Sequence, residues 1–345
     1  MTSATPTIYD VARAAGVSIS TVSNALNRPD RVSEETRARV LECIDQLGFV
    51  PKSEATTLAR KRMRRIGVIA PFTSYVSYMT RLAGVLAEAR ASGFEVATFD
   101  SESAATSMTP ILDTLPIKGQ VDGLIVMGFS LDASIEDRLV DRGVPMVVVD
   151  AASTRFPVVT CDDEQSGRIG AAHLLNLGHR SFGYVRERQR GSYDSQADRR
   201  LSGFTDELEA TPHTDLRVVE SDPSFESARA AAHELLGSGD RPSAIMAHYD
   251  ELAVGVLKAA ADLGVRVPGE LSVIGVDDGP IAEATDLTTV RQPFHESGVE
   301  AVRILLSRLE RPAAERTVTF LDLRVVERET TAPAPPDDVL EREHT

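Results

Sequence analysis

The sequence predicts an α/β protein: an N-terminal all-α helix-turn-helix headpiece, then a two-lobed core of doubly wound sheets. Three observations predict it. The chain has 345 residues, longer than the ~250–300 over which one hydrophobic core grows. Residues 1–51 hold three short amphipathic segments opened by Thr or Ser, the first and third closed by Gly. From Ile66 onward, short apolar runs alternate with segments of helical period.

Thr7 caps a helix through IYDVARAAG, with Gly16 just past its end. Ile8, Val11, Ala12 and Ala15 share one face. Ser18 caps a second helix, ISTVSNALN, whose Val22, Ala25 and Leu26 face inward. That leaves Ser20, Thr21, Ser23, Asn24 and Asn27 outward. Ser33 opens a third helix through Leu47, with Val40, Leu41, Ile44 and Leu47 as its apolar stripe. Two short helices joined at a glycine turn, braced by a third, form a helix-turn-helix domain. Its second helix can lie in a major groove, where small polar side chains reach base edges. An ordinary solvated helix would carry Lys and Glu on that face, and this one carries none.

Charge supports the division. Residues 1–65 hold 11 basic and 7 acidic side chains, a formal +4, and the remainder carries −19. A basic head on an acidic body suggests that only the head meets an anionic polymer.

The run TIYDVARAAGVSISTVSNALN, followed by RVSEETRARVLECIDQLGFVP, resembles without a gap the headpiece of the LacI/GalR family of bacterial transcription regulators. The resemblance implies phosphate contacts from Thr7 and Tyr9 and base readout by Ile19, Ser20 and Asn24. Thr21, Ser23, Asn27 and Arg31 complete the candidate DNA-binding set. Many relatives carry Arg where this chain has Asn24, so the operator half-site is expected to differ. After Pro51, KSEATTLARKRMRR matches the family's hinge (residues 52–63). Leu58 stands at the position that wedges into the minor groove, and Ala55 and Ala59 keep facing hinge helices close. Glu54 departs from the pattern, since an acid near phosphate is unfavourable.

The core, residues 64–331, reads as strands IGVIA, FEVATFD, GLIVMG and VPMVVVD, then FGYV, LRVVE, SAIMAHY and LSVIGVDD, with helices between. Continuous apolar strands fit parallel sheets buried on both faces, with ligands beyond the carboxyl ends of the strands. HLLNLGHR, RRLSGF and LSVIGVDD resemble the family's effector-binding core, itself similar to periplasmic sugar-binding proteins. That implies a cleft between a first lobe (about 64–161 and 291–320) and a second (about 162–290 and 321–331). TTVRQPF (288–294) is expected to rejoin the first lobe, and the tail from 332 to be disordered.

By resemblance Asp150, Asp162, Arg200 and Asp277 contact an effector. Carboxylates and a forked guanidinium suit sugar hydroxyls. Asp250 joins the effector candidates; relatives usually carry Asn before that aspartate, and here Tyr249 precedes it. With no Trp in the chain, stacking on a sugar face falls to Tyr75, Tyr78, Tyr193, Tyr249 and Phe225.

Other classes are disfavoured. No run approaches the ~20 apolar residues of a membrane span, and MTSATPTIYD lacks an apolar signal core, so a cytoplasmic location is expected. Two cysteines, Cys43 and Cys161, cannot frame disulfides. No HExxH, glycine-rich phosphate loop or nucleophile elbow is present, so neither enzymatic activity, metal nor cofactor is expected. The resulting expectation is a homodimeric repressor of carbohydrate-use genes. Its partners are a pseudo-palindromic double-stranded operator and a small sugar effector, with no membrane. A core that answers to a protein partner or a non-sugar corepressor is the alternative.

Overall fold

The computed structural model describes residues 6–49, 64–72, 75–100, 120–129, 131–188, 196–237, 239–312 and 315–335. Two compact units result. One comprises residues 1–160 and 295–319, the other residues 161–294 and 320–345.

The first unit opens with α1 (Ile8–Ala15), α2 (Ile19–Asn27) and α3 (Glu34–Leu47). Their starts are written in the sequence. Ser18 Oγ accepts from the Thr21 N–H, and Ser33 Oγ from the Thr36 N–H. Their inner faces interlock through Val11, Ala15, Val22, Ala25, Val40, Leu41 and Ile44, all buried. Burying each larger aliphatic contributes about 1.5–3 kcal/mol, which makes a fifty-residue domain tenable. Cys43 is buried in the same cluster.

The first sheet follows, built from β1 (Arg65–Ala70), β2 (Glu95–Asp100), β3 (Gly123–Met127), β4 (Met146–Val149), β5 (Val158–Thr160) and β11 (Val318–Phe320). Its order is β11-β5-β4-β3-β1-β2. Helices α4 (Val76–Ala91) and α5 (Ala133–Asp141) connect strands on this sheet. The long α11 (Phe294–Glu310) returns the chain to this unit.

The second unit repeats the plan with β6 (Ser181–Glu187), β7 (Asp215–Ser221), β8 (Ala244–Ala247), β9 (Ser272–Asp277), β10 (Thr288–Arg291) and β12 (Arg324–Val326). They lie in the order β12-β10-β9-β8-β6-β7, with β12 antiparallel to β10. Helices α6 (Asp163–Asn176), α7 (Gln196–Glu209), α8 (Phe225–Leu236), α9 (Asp250–Asp262) and α10 (Pro280–Ala284) complete it. Central β3, β4 and β8 are buried throughout, and edge β2 and β7 alternate, as parallel sheets covered by helices require.

Two expectations are corrected. TTVRQPF does not rejoin the first lobe: Thr288–Arg291 pairs in parallel with β9 of the second sheet. The chain crosses back only at His295. The tail is ordered at its start. The Ala332 N–H donates to Ser272 Oγ at 3.0 Å, the Ala332 carbonyl accepts from Ser272 and lies 3.1 Å from His179 Nε2, and the Ala334 N–H donates to the Leu177 carbonyl. A few anchored backbone groups suffice to hold a short extended segment. Among the described residues, no helix is long and apolar enough to cross a membrane.

Candidate nucleic-acid interface and effector site

On the headpiece, Tyr9 is 64% and Ile19 40% exposed. Ser20 is exposed, and Thr21, Ser23 and Asn24 are half-buried on the outer face of α2. Two of these hydroxyls are engaged at the cap. Ser18 Oγ lies 2.7 Å from Ser20 Oγ and 2.8 Å from Thr21 Oγ1. Thr7 donates its hydroxyl to Asp10 Oδ2 at 2.6 Å, so a phosphate contact by that hydroxyl competes with Asp10. That hydrogen bond also holds the Asp10 carboxyl below its ordinary range. Arg31, on the turn after α2, is exposed. Asn27 ends α2; its side chain, with Ala55 and Leu58 of the hinge and Tyr193, lies outside the described residues.

In the second unit, α6 and α7 meet backbone to backbone. A Cβ on Gly167 would fall 2.0 Å from the Arg200 carbonyl, and one on Gly203 1.9 Å from the Glu164 carbonyl. That contact brings Arg200, one of the candidate residues, against α6. Its Nε donates to Asp163 Oδ1 at 3.0 Å and its Nη1 to the His248 carbonyl at 2.9 Å. Both side chains of the Arg200–Asp163 ion pair are buried. The neighbouring candidate Asp162 is exposed, and its carboxylate accepts from the Gln165 N–H as the α6 cap.

The first unit builds the same device. A Cβ on Gly298 of α11 would fall 2.0 Å from the Arg81 carbonyl of α4. Arg81 Nη2 pairs with Asp150 Oδ2 at 2.6 Å, both side chains buried. Asp150 follows β4 with φ 59°, a left-handed conformation that costs a non-glycine residue and clusters at functional sites. Tyr78 is buried, and its hydroxyl fills the space a side chain would need at Gly128 (φ 73°). Its ring also receives the Arg81 guanidinium at 5.7 Å. Tyr75 caps α4, with its ring edge-on to Tyr78.

Strain recurs where β9 ends. Asp277 (φ 119°) and Asp278 (φ 63°) are both left-handed. Gln292 Nε2 donates to Asp277 Oδ1 at 3.0 Å, and Arg328 holds Asp278 at 2.5 Å. Asp250 is 1% exposed. It accepts from Thr289 Oγ1 at 2.6 Å and from the Gly279 N–H at 3.0 Å. Burial pushes its carboxyl up to about 7, against those two hydrogen bonds and with help from Glu251 and Asp278. Its two oxygens tie α9 to β10 and to the loop after β9, a positioning arrangement. Tyr249, the α9 cap, leans edge-on against His248. Phe225 opens α8 and is 47% exposed.

Sequence reasoning missed Arg81, Asp163, His248, Gln292 and Tyr184. The doublet Asp162-Asp163 carried the signal for one of them, since only one of two adjacent acids can cap a helix. Tyr184 Oη, Ser166 Oγ and His248 Nδ1 are buried without a hydrogen-bond partner among the described residues. Burial pushes the Tyr184 hydroxyl up and the His248 imidazole well down, the latter helped by Arg200 and Arg186. Both groups are therefore neutral at physiological pH. No group of three or more His, Cys, Asp or Glu able to hold a metal occurs among the described residues.

Residues 7–52 match the model for bacterial regulatory proteins of the lacI family, and residues 171–331 match that for a periplasmic binding protein-like domain. Catabolite control protein A of Priestia megaterium is 30% identical over 333 residues, 94% of this chain and 99% of that protein. The chain belongs to the lacI family. Two solved structures of lacI-type regulators share its fold. The lac repressor dimer bound to operator and the anti-inducer ONPF has a TM-score of 0.69 at 27% identity, covering 95% of this chain and 99% of that one. The transcriptional regulator CelR–cellobiose complex gives 0.66 at 26%, covering 94% and 99%. As a lacI-family member, the protein is a DNA-binding transcriptional regulator.

Proposed function

We propose that this regulator is a cytoplasmic homodimeric repressor of carbohydrate-use genes, without enzymatic activity, whose operator affinity is set by a small sugar. The observation that carries the reading is α2. It is a recognition-type helix with no charged residue between Ile19 and Asn27 and an exposed isoleucine at its start. Asn24 is suited to a bidentate adenine contact and Ile19 to a thymine methyl. Paired headpieces meet successive major grooves of a pseudo-palindrome, with Leu58 wedged in the central minor groove. Sugar binding shifts the population between DNA-competent and incompetent states. The cellobiose complex of a relative that aligns along nearly the whole chain supports a sugar.

Selection from a random duplex library with the full-length protein tests the reading. Enrichment of two-fold symmetric sequences is expected. Enrichment of nothing, at low ionic strength and with or without sugars, would contradict it.

A further inference from the structure

The geometry points to an uncharged, hydroxyl-rich effector, and against a phosphorylated or carboxylated one, because among the described residues each buried guanidinium by the strand ends already holds a carboxylate of this chain. The inference rests on the effector reading above and names the charge class of the ligand.

Recognition of an anion needs cationic charge not already matched by a protein carboxylate. In the first unit Arg81 is matched by Asp150 at 2.6 Å. In the second, Arg200 is matched by Asp163 at 3.0 Å and also donates to the His248 carbonyl. The arginines at the end of β6 follow the same rule. Arg186 pairs with Asp198, and Arg188 lies 3.4 Å from Asp222 and 3.5 Å from Glu220. A phosphate brought to Arg200 would sit beside Asp163 in a poorly solvated place, where like charges repel strongly.

Arg186 keeps a buried Nε without a hydrogen-bond partner, but its charge is matched by Asp198 and Glu220, and the remaining groups of interest are neutral. Tyr184 Oη, Ser166 Oγ and His248 Nδ1 are buried and have no partner among the described residues, a costly state that a bound hydroxyl or water relieves. All three belong to elements that pack around Arg200: His248 gives it a carbonyl, Ser166 stands three residues after its partner Asp163 on α6, and the Tyr184 ring lies edge-on to Phe204, one turn along α7 from Arg200. A sugar hydroxyl both donates and accepts, so it satisfies a phenol, an alcohol and a neutral imidazole together. A phosphate dianion only accepts.

The test is calorimetry on the full-length protein. The neutral probes are glucose, ribose and cellobiose, and the anionic ones are glucose 6-phosphate, ribose 5-phosphate and glucuronate. A neutral probe should bind at least about tenfold more tightly than its anionic counterpart, and its Kd should change less than about twofold between low and moderate salt. Tyr184→Phe should weaken that neutral probe severalfold. Asp163→Asn, which uncovers Arg200, should move the neutral-to-anionic ratio toward the anion by about tenfold. Equal or tighter binding of the anionic member to the unmodified protein would overturn the inference and leave the effector reading standing. Failure of every probe, neutral and anionic, would overturn the effector reading itself, while duplex selection would still report on the headpiece.

Discussion

The outer face of α2 and the strand ends of the second unit treat polar side chains in opposite ways. On α2, Ser20 and Asn24 are uncharged and partly or fully open to solvent, and Ile19 is left exposed beside them. At the strand ends Arg200, Asp163 and Asp250 are charged or chargeable, buried, and bonded to one another's surroundings. An exposed reading face can await its partner at little cost, because water satisfies it meanwhile. A buried site has to satisfy itself, so its charges are spent on internal pairs and its selectivity falls to the neutral groups left over.

Five perturbations bear on that contrast, from the largest effect to the smallest. Deleting residues 1–60 should abolish sequence-selective duplex binding, measured by fluorescence anisotropy, since it removes all three helices of the headpiece. Arg200→Ala should destabilise the second unit by about 3–5 kcal/mol, because it strands a buried Asp163 charge; urea unfolding followed by circular dichroism reads this. An unchanged midpoint would place Arg200 in ligand contact rather than in the fold. Asn24→Ala should cost specific binding about 1–3 kcal/mol if it reads a base, and non-specific binding much less; an equal loss on both duplexes would make it a positioning residue.

The fourth is a pH effect. The Asp250 carboxyl is raised to about 7 in the folded protein from 3.8. Its contribution is therefore full below about pH 4 and lost as pH rises through about 7. Asp250→Asn mimics the protonated form, with its amide donating to Thr289 and its oxygen accepting from Gly279. The variant should melt above the unmodified protein at pH 8, and the gap should narrow by pH 6. A gap independent of pH would refute the assignment. Comparing the two proteins cancels the opposite trend from His173, His179 and His248. Their lowered pKa values cost stability as pH falls below the ordinary 6.5. The smallest effect is expected of Phe225→Ala. Exposed as the ring is, stability should move by no more than about 0.5 kcal/mol, and any larger loss in sugar affinity would mark it as a stacking platform.

The headpiece was legible almost entirely, because its determinants are local: Ser18 and Ser33 as caps, Gly16 and Gly48 in the left-handed region, and an apolar stripe on each helix. The long apolar strands were legible for the same reason. The short β5, β11 and β12 were not, since three residues carry no period, and the crossing to the first unit was set too early, inside TTVRQPF, because pairing of β10 with β9 is a non-local choice. At the strand ends the sequence named Asp150 and Arg200, but not Arg81 and Asp163, which meet them across helix contacts made by Gly298 and Gly167. What the sequence did not show is that Asp162 caps α6 and that Asp250 ties α9 to β10.

The most direct test of the account titrates one fluorescent, selection-derived palindrome with the full-length protein, with and without the best-binding neutral sugar. The account predicts that saturating sugar changes operator Kd by about 5–150-fold, and that operator changes sugar Kd by the same factor. A sugar that binds while leaving operator affinity unmoved would contradict it.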